Sequence, residues 1–286
     1  MTDPGARIAR AYLDACTAEL HALKPGNVHV HAAGHGMTVR DFEESARVSA
    51  SAMGDPGLSV GARIHEAIRR THDAVGCNTN LGIVLLCAPL ASAAFAASDT
   101  GDFKSALHDV LASLSVEDAE QAFAAIRRAA PAGLGASAEH DVRAAATVTL
   151  LAAMRAAHAR DRIAAQYATD YDDVFTIGVP RLERGIARWN DPHWAASSAY
   201  LGFLSAFPDS HIVRKHGDSA ALDVQMLAQE CDALLSAVGV AAPAHARLLD
   251  LDTELKARGY NPGTSADLTV ASLFVVRLHS KVNRPQ

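Results

Sequence analysis

The sequence predicts an all-α fold, a single-domain multi-helix bundle around a buried central helix. Three observations support it. No run of alternating strand residues is bounded by turns. Apolar residues recur at helical spacing between cap residues and Pro-Gly stops. The segment Ile83-Val84-Leu85-Leu86-Cys87-Ala88-Pro89-Leu90 is apolar on every side, which is typical of a helix inside a protein. No linker rich in Gly, Ser or Pro divides the chain, so we expect residues 1–286 to form one domain.

Helix boundaries follow from capping and breaking residues, taken in order. Cap-forming side chains mark the predicted helix starts. These residues are Asp3, Thr38, Ser59, Asn80, Ser115, Asp161 and Asp191. Prolines or glycines follow many predicted ends, as at residues 25–26, 76, 131, 239 and 259. We expect helices over residues 4–23, 38–53, 59–75, 81–97, 116–130, 141–159, 161–167, 179–186, 191–207, 219–238, 242–256 and 265–282.

Composition narrows the function classes. The chain is 49% hydrophobic and 20% charged, which is typical of a globular protein with a sizeable core. A net charge of −6 argues against nucleic acid as a general partner. The four cysteines lack C-x-x-C spacing, so we expect neither a zinc site nor a disulfide framework, and a cytoplasmic location. The start has no signal-peptide pattern, and the apolar segment 81–97 is shorter than the roughly 20 residues of a membrane span.

The first polar loop contains Lys24-Pro25-Gly26-Asn27, followed by His29, His31 and His35. A lysine beside a Pro-Gly turn provides a point charge suited to phosphate. The histidines could titrate or bind a metal, but hydrogen bonding or surface placement explains them as well.

The second polar loop is Asn78-Thr79-Asn80, which precedes the apolar helix. The N–H groups at a helix start form a natural site for phosphate. An ordinary cap on a core helix is the alternative interpretation.

The third and fourth polar loops carry acids beside donors. In residues 209–217, Asp209 would bind Mg²⁺, and Arg214 or Lys215 would bind phosphate oxygens. The alternative is a charged turn that caps the next helix.

In residues 261–267, Gly263 precedes the possible caps Thr264 and Ser265, and Asp267 lies in the first turn. A well-made helix start is the alternative. Together the four loops would suit a nucleoside triphosphate with Mg²⁺.

The order and separation of these motifs resemble the triphosphoribosyl-dephospho-CoA synthase family over residues 19–278. The resemblance is carried by Lys24-Pro25-Gly26, Gly34-His35-Gly36-Met37, Asn78-Thr79 with Gly82, Asp209-Ser210-His211 with Gly217, and Pro262-Gly263-Thr264-Ser265-Ala266-Asp267-Leu268. The chain departs from the family pattern at Gly36, where the family has an acid, and at Asn80-Leu81, where it has His-Lys. These variants resemble a divergent branch of archaeal and methylotroph type.

The resemblance implies an ATP-dependent transferase in which a hydroxyl of dephospho-CoA displaces adenine from ATP and the triphosphate is retained. It implies that Asp209 and Asp267 hold Mg²⁺ or act as base, and that His35 or His211 protonates adenine. The phosphate and nucleotide would be bound by Lys24, Gly26, Asn78, Thr79, Asn80, Arg214, Lys215, Gly263, Thr264 and Ser265.

Two alternatives stay open at this point. One is an ATP-using transferase or kinase-like enzyme that makes a one-carbon carrier of the methanopterin or methanofuran type. The other is a non-catalytic protein that binds a phosphorylated ligand. We expect no membrane partner, and a homodimer is possible because the helices are rich in alanine.

Overall fold

The computed structural model describes residues 3–32, 34, 36–131 and 139–279, and of residues 98–100 it describes the backbone alone. Within these ranges the chain forms fourteen α-helices and one π-helical turn, Val174–Gly178, and no strand beyond two isolated bridges. The predicted all-α fold class is confirmed. The helices are α1 (Pro4–His21), α2 (Val39–Met53), α3 (Val60–Val75), α4 (Leu81–Thr100), α5 (Phe103–Ala112), α6 (Val116–Ala129), α7 (Leu150–Ala157), α8 (Arg162–Ala168), α9 (Val179–Trp189), α10 (Pro192–Ala206), α11 (Ser210–His216), α12 (Asp218–Val238), α13 (Ala242–Ala257) and α14 (Gly263–His279).

The chain divides into two compact units. Unit 1 comprises Met1–Ala15, Asp41–Asp172 and Phe274–Gln286, and unit 2 comprises Cys16–Arg40 and Asp173–Leu273. That residues 1–286 act as one domain stays a prediction. Among the helices that the structure describes, none combines the length and apolar character that a membrane crossing requires.

Helix α4 provides the core of unit 1. Its side chains Val84, Leu86 and Leu90 are fully buried, and it packs against α3, α5, α6 and α8. Because neighbours cover several of its faces, apolar residues are stable all around it, as its sequence predicted.

Pro89 removes one hydrogen-bond donor from α4, and a tyrosine hydroxyl replaces it. Proline has no N–H, so the carbonyl of Leu85 lacks its usual helical donor. The Tyr167 hydroxyl donates to this carbonyl at 2.6 Å, and the Tyr171 hydroxyl donates to the carbonyl of Leu86 at 2.8 Å. Burial raises the pKa of both hydroxyls, so both keep the proton that they donate.

A second apolar cluster forms the core of unit 2 from α10, α12 and α13. Leu204, Val224 and Leu251 are fully buried within it. Tyr200 lies in the same cluster and donates its hydroxyl to the carbonyl of Pro25 at 2.6 Å. The core of unit 2 therefore holds the Pro-Gly turn that follows α1.

In unit 1, one helix was missed and one predicted start was wrong. Residues 103–112 form α5, which the sequence interpretation omitted, and Asp102 caps it by accepting from the amide of Ser105 at 3.1 Å. The helix expected over residues 141–159 begins only at Leu150, because Thr149 caps it there. The preceding β-branched residues disfavour helix. The last predicted helix is described to residue 279, and the remainder of that prediction lies outside the described residues.

Candidate active site

Asp209 connects the starts of two helices in unit 2. As the N-cap of α11 it accepts, through Oδ1, from the amides of His211 at 2.9 Å and Ile212 at 3.3 Å. Its Oδ2 accepts from both the amide and the hydroxyl of Ser265, each at 2.8 Å. Burial raises the pKa of this fully buried acid, and the four hydrogen bonds oppose that rise. Asp209 thus ties α11, which the sequence interpretation took for a loop, to the first turn of α14.

Gly263, the first residue of α14, lies against the ring of His211. A Cβ at Gly263 would stand 2.4 Å from His211 Nδ1, closer than real Cβ atoms approach another heavy atom, so only glycine fits without a shift. His211 is half-buried. The Pro-Gly turn before α14 therefore brings a titratable ring to the helix start.

Lys24 is fully buried and belongs to a polar network. Its ammonium donates to the carboxylate of Glu19 and, at 3.1 Å, to Oδ1 of Asn27. Asn27 donates from Nδ2 to Oδ1 of Asn261 at 2.8 Å. Burial lowers the pKa of Lys24 and raises that of Glu19, and the attraction between the two charges opposes both shifts. The network joins the Lys24 turn to the segment that leads into α14.

Asp252 of α13 holds the turn at Gly26. Its Oδ1 accepts from the amide of Gly26 at 2.9 Å and lies 3.3 Å from Nε2 of His29 and 2.9 Å from Nζ of Lys256. Gly26 has a φ of +83°, and a Cβ there would stand 2.9 Å from Cβ of Leu255. The turn therefore requires glycine on both conformational and steric grounds.

The Asn78-Thr79-Asn80 elbow is built into unit 1. Asn78 Oδ1 accepts from the first amide of α4 at 3.1 Å, whereas Asn80, the predicted cap, lies at the N-cap position and makes no capping hydrogen bond with its side chain. Thr79 and Ser45 share a hydroxyl–hydroxyl hydrogen bond of 2.5 Å, and Asn80 donates to the hydroxyl of Thr71 at 3.1 Å. These hydrogen bonds fasten the elbow to α2 and α3.

The remaining predicted residues differ in exposure. Arg214 is half-buried and Lys215 is exposed, both in the last turn of α11. Because α14 begins at Gly263, Thr264 and Ser265 are helical residues and not caps, and Asp267 is half-buried in the second turn and not the first. The charge of Asp267 raises the pKa of Lys24, although burial of Lys24 has the larger, opposite effect. His35 lies outside the described residues.

The structure therefore groups the predicted site residues unevenly. Contacts within unit 2 connect six of them to neighbouring residues: Lys24, Gly26, Asp209, His211, Gly263 and Ser265. The sequence interpretation assigned no role to Glu19, Asp252 and Lys256. The signal for the last two was their spacing of four residues on one helix, which is also common on solvated helices.

The His, Cys, Asp and Glu side chains that the structure describes do not form a protein cage for Mg²⁺. In the described part of the chain, no group of three or more His, Cys, Asp or Glu side chains could hold a metal ion. Both oxygens of Asp209 already accept hydrogen bonds from protein groups.

Comparisons with known proteins agree with the motif pattern. The model of the family CitG, ATP:dephospho-CoA triphosphoribosyl transferase, matches residues 5–286. No curated protein and no solved structure matches the chain significantly. The match confirms the resemblance and supports a nucleotide-dependent transferase, with ATP and dephospho-CoA as the substrates that the family implies. It favours neither a one-carbon-carrier enzyme nor a non-catalytic binder. The chain belongs to the ATP:dephospho-CoA triphosphoribosyl transferase family.

Proposed function

We propose that unit 2 binds the triphosphate of ATP beside the starts of α11 and α14, where a hydroxyl of dephospho-CoA displaces adenine. One observation carries this proposal: the Lys24 turn and the α14 start share one hydrogen-bond network. Asn27 reaches Asn261 by its side chain, and the Asn261 carbonyl accepts from the amide of Gly263 at 2.8 Å. These hydrogen bonds connect two of the four motif segments within unit 2. Asp209 connects a third segment to them.

The roles follow from burial and contact. Asp209 uses both oxygens in the fold, so we assign it to positioning the two helix starts. Asp267 is half-buried on α14 and takes the proton of the attacking hydroxyl. His211 is half-buried beside Gly263 and gives a proton to the leaving adenine. Arg214 and Lys215, in the last turn of α11, bind phosphate oxygens.

The proposed step balances in atoms and protons. A bond forms between the acceptor oxygen and the anomeric carbon of the ATP ribose, and the bond from that carbon to adenine breaks. Asp267 receives the hydroxyl proton, and adenine leaves with the proton from His211. Lys24 and Glu19 stay buried, and Lys24 holds the turn through its hydrogen bond to Asn27.

Mg²⁺ enters the proposal only as a complex with the triphosphate. Phosphate oxygens and water commonly supply most ligands of protein-bound Mg²⁺, which suits a chain whose described residues offer no metal cage. The ion would neutralise phosphate charge, and no step above depends on it.

Chromatography of ATP and dephospho-CoA incubated with the protein tests the proposal. We expect release of free adenine in an amount equal to the coupled product. Asp267→Asn should lower the rate about a hundredfold, as is usual when a general base is removed. The exposed Asp250→Asn on α13 is the matched control. Release of ADP or pyrophosphate instead of adenine would overturn the proposal.

We also propose that the protein is cytoplasmic and that it forms a homodimer. The homodimer is supported by two exposed apolar side chains one turn apart on α12, Leu222 and Met226, which are 48% and 57% exposed. Light scattering should give twice the mass of one chain, and Met226→Lys should reduce it to one. A monomeric wild type would contradict this proposal.

A further inference from the structure

Three side chains link the segment from Gly26 to Ala32 with helix α13. Asp252 accepts from the amide of Gly26 at 2.9 Å, and Lys256 donates to the carbonyl of Ala32 at 3.1 Å. The third is His29, whose Nε2 lies 3.3 Å from Oδ1 of Asp252 and 3.3 Å from Nζ of Lys256. We call these three side chains, which all belong to unit 2, the clasp.

The clasp contains a buried, titratable ring with one unsatisfied nitrogen. His29 is fully buried, and its Nδ1 has no hydrogen-bond partner among the described residues. The neutral ring has a single N–H, which we place on Nε2 because the carboxylate of Asp252 is an acceptor, whereas the charged ring has an N–H on both nitrogens. Protonation would therefore add a buried N–H group without an acceptor, which is unfavourable.

Most of the charge around His29 also opposes its protonation. Lys256 from α13 and Lys24 from the preceding turn repel a positive charge on the ring, and Asp252 attracts one. His31, whose ring centroid lies 5.7 Å from that of His29, is a second titratable group beside it. Burial has the largest effect, so the pKa of His29 lies below its ordinary value of 6.5.

The clasp therefore depends on pH with a definite sign. When residues 26–32 separate from α13, water reaches His29 and its pKa returns to the ordinary value. The released segment thus binds a proton more readily than the clasped one. The stability that His29 gives to the clasp is fully present above about pH 6.5 and is lost as pH falls towards the lower pKa of the clasped form.

We propose that the clasp is a pH-sensitive switch, in which protonation of His29 releases residues 26–32 from α13 and thereby slows the reaction. The released segment directly follows Lys24, and its first residue, Gly26, loses the carboxylate that holds the turn. The effect on the reaction rests on the proposed function, whereas the release itself does not.

Hydrogen–deuterium exchange of single amides in the full chain, followed by NMR, tests the release. The reporters are the amide of Gly26, which donates to Asp252, and the amide of Val30, which donates to the carbonyl of Leu20 at 3.0 Å. Protection factors, corrected for the intrinsic exchange rate at each pH, measure the opening equilibrium. They should fall severalfold between about pH 7.5 and about pH 5.5, with about tenfold as the limit for a released histidine of ordinary pKa. Protection that stays constant or rises would overturn the proposal.

Matched variants assign the effect to one ring. His29→Gln keeps an N–H for Asp252 but does not titrate, so its protection factors should not change with pH. His31→Gln replaces the exposed neighbouring histidine and should keep the dependence of the wild type. A dependence that persists in His29→Gln, or that disappears in His31→Gln, would refute the assignment. The NMR titration of the His29 ring in the wild type does not need a folded variant, and a pKa at or above 6.5 would overturn the proposal.

Adenine release gives the readout for the reaction. The rate of His29→Gln divided by that of the wild type should rise severalfold between about pH 7.5 and about pH 5.5, because only the wild type loses the turn. The division cancels the titration of His211, which both proteins share. A constant ratio would overturn the effect on the reaction. Absence of adenine release at every pH would contradict the proposed function, and the exchange measurement would still decide whether the segment is released.

Discussion

Asp209 accepts two hydrogen bonds from a single distant residue, Ser265, through the amide and the hydroxyl at 2.8 Å each. Its other oxygen caps α11. One buried carboxylate thus lies at two helix starts at once, where the partial positive charge of each helix favours an anion. This relationship explains how two motifs far apart in sequence form one structural feature.

Asp209→Asn should destabilise the fold. The side-chain amide nitrogen of the variant can donate a hydrogen bond but cannot accept one. Two of the four N–H and O–H donors that Asp209 binds therefore lose their acceptor in a buried place. We expect a loss of about 1–3 kcal/mol in the free energy of unfolding, measured by urea denaturation. Asp223→Asn, at an exposed position of α12, is the control and should change little. Equal stabilities of the two variants would contradict the assigned role.

Lys24→Met should lower the free energy of unfolding by about 3–5 kcal/mol, because it leaves the buried carboxylate of Glu19 without its partner. The double variant with Glu19→Leu should recover much of this loss, since removing both charges avoids an isolated buried one. Urea denaturation of the two single variants and the double variant gives the coupling. Additive losses would show that Glu19 and Lys24 do not stabilise each other.

The sequence predicted those parts of the fold that rest on local signals. The uniformly apolar pattern of α4 and the caps at Ser59 and Ser115 gave correct helices. Helix α11 was missed because seven residues are too few to establish a helical period. The network at Gly26 could not be predicted, since its partner Asp252 is separated from it by most of the chain and only packing joins them.

Asp252→Asn should destabilise the protein in a pH-dependent way. Burial raises the pKa of Asp252, but hydrogen bonds from His29, Lys256 and Gly26 outweigh it and hold the pKa below its ordinary value of 3.8. The ionised acid therefore contributes stability that is fully present above about pH 4 and is lost as pH falls through the folded-state pKa. The free energies of unfolding of wild type and variant should differ by about 1–3 kcal/mol at neutral pH and should converge under acid conditions.

The measurement is urea denaturation of both proteins across the acid range. Asp250→Asn lies on the same helix at an exposed position and should follow the wild type at every pH. A gap between wild type and Asp252→Asn that stays constant with pH would contradict the assignment.

Gly263→Ala should impair the reaction more than the fold. The added methyl would stand 2.4 Å from Nδ1 of His211 and must displace that ring. Displacing a catalytic group by about 1 Å can cost roughly a hundredfold in rate. We expect adenine release to fall by that order, with His211→Ala giving a similar loss. Gly57→Ala, in an exposed turn of unit 1, should leave the rate unchanged. Normal turnover by Gly263→Ala would remove His211 from the proposed mechanism.

Tyr167→Phe should destabilise unit 1 more than Tyr171→Phe does, although both hydroxyls are buried and both donate to a carbonyl of α4. The carbonyl of Leu85 depends on Tyr167 because Pro89 cannot supply the helical N–H. The carbonyl of Leu86 has the regular helical donor four residues later as well. Loss of the single donor should cost about 1–3 kcal/mol, and loss of the additional one about 1 kcal/mol or less. Thermal denaturation of the two variants measures the difference, and the same order should hold in urea. An equal or larger loss for Tyr171→Phe would show that the Tyr167 hydroxyl does not replace the missing N–H of Pro89.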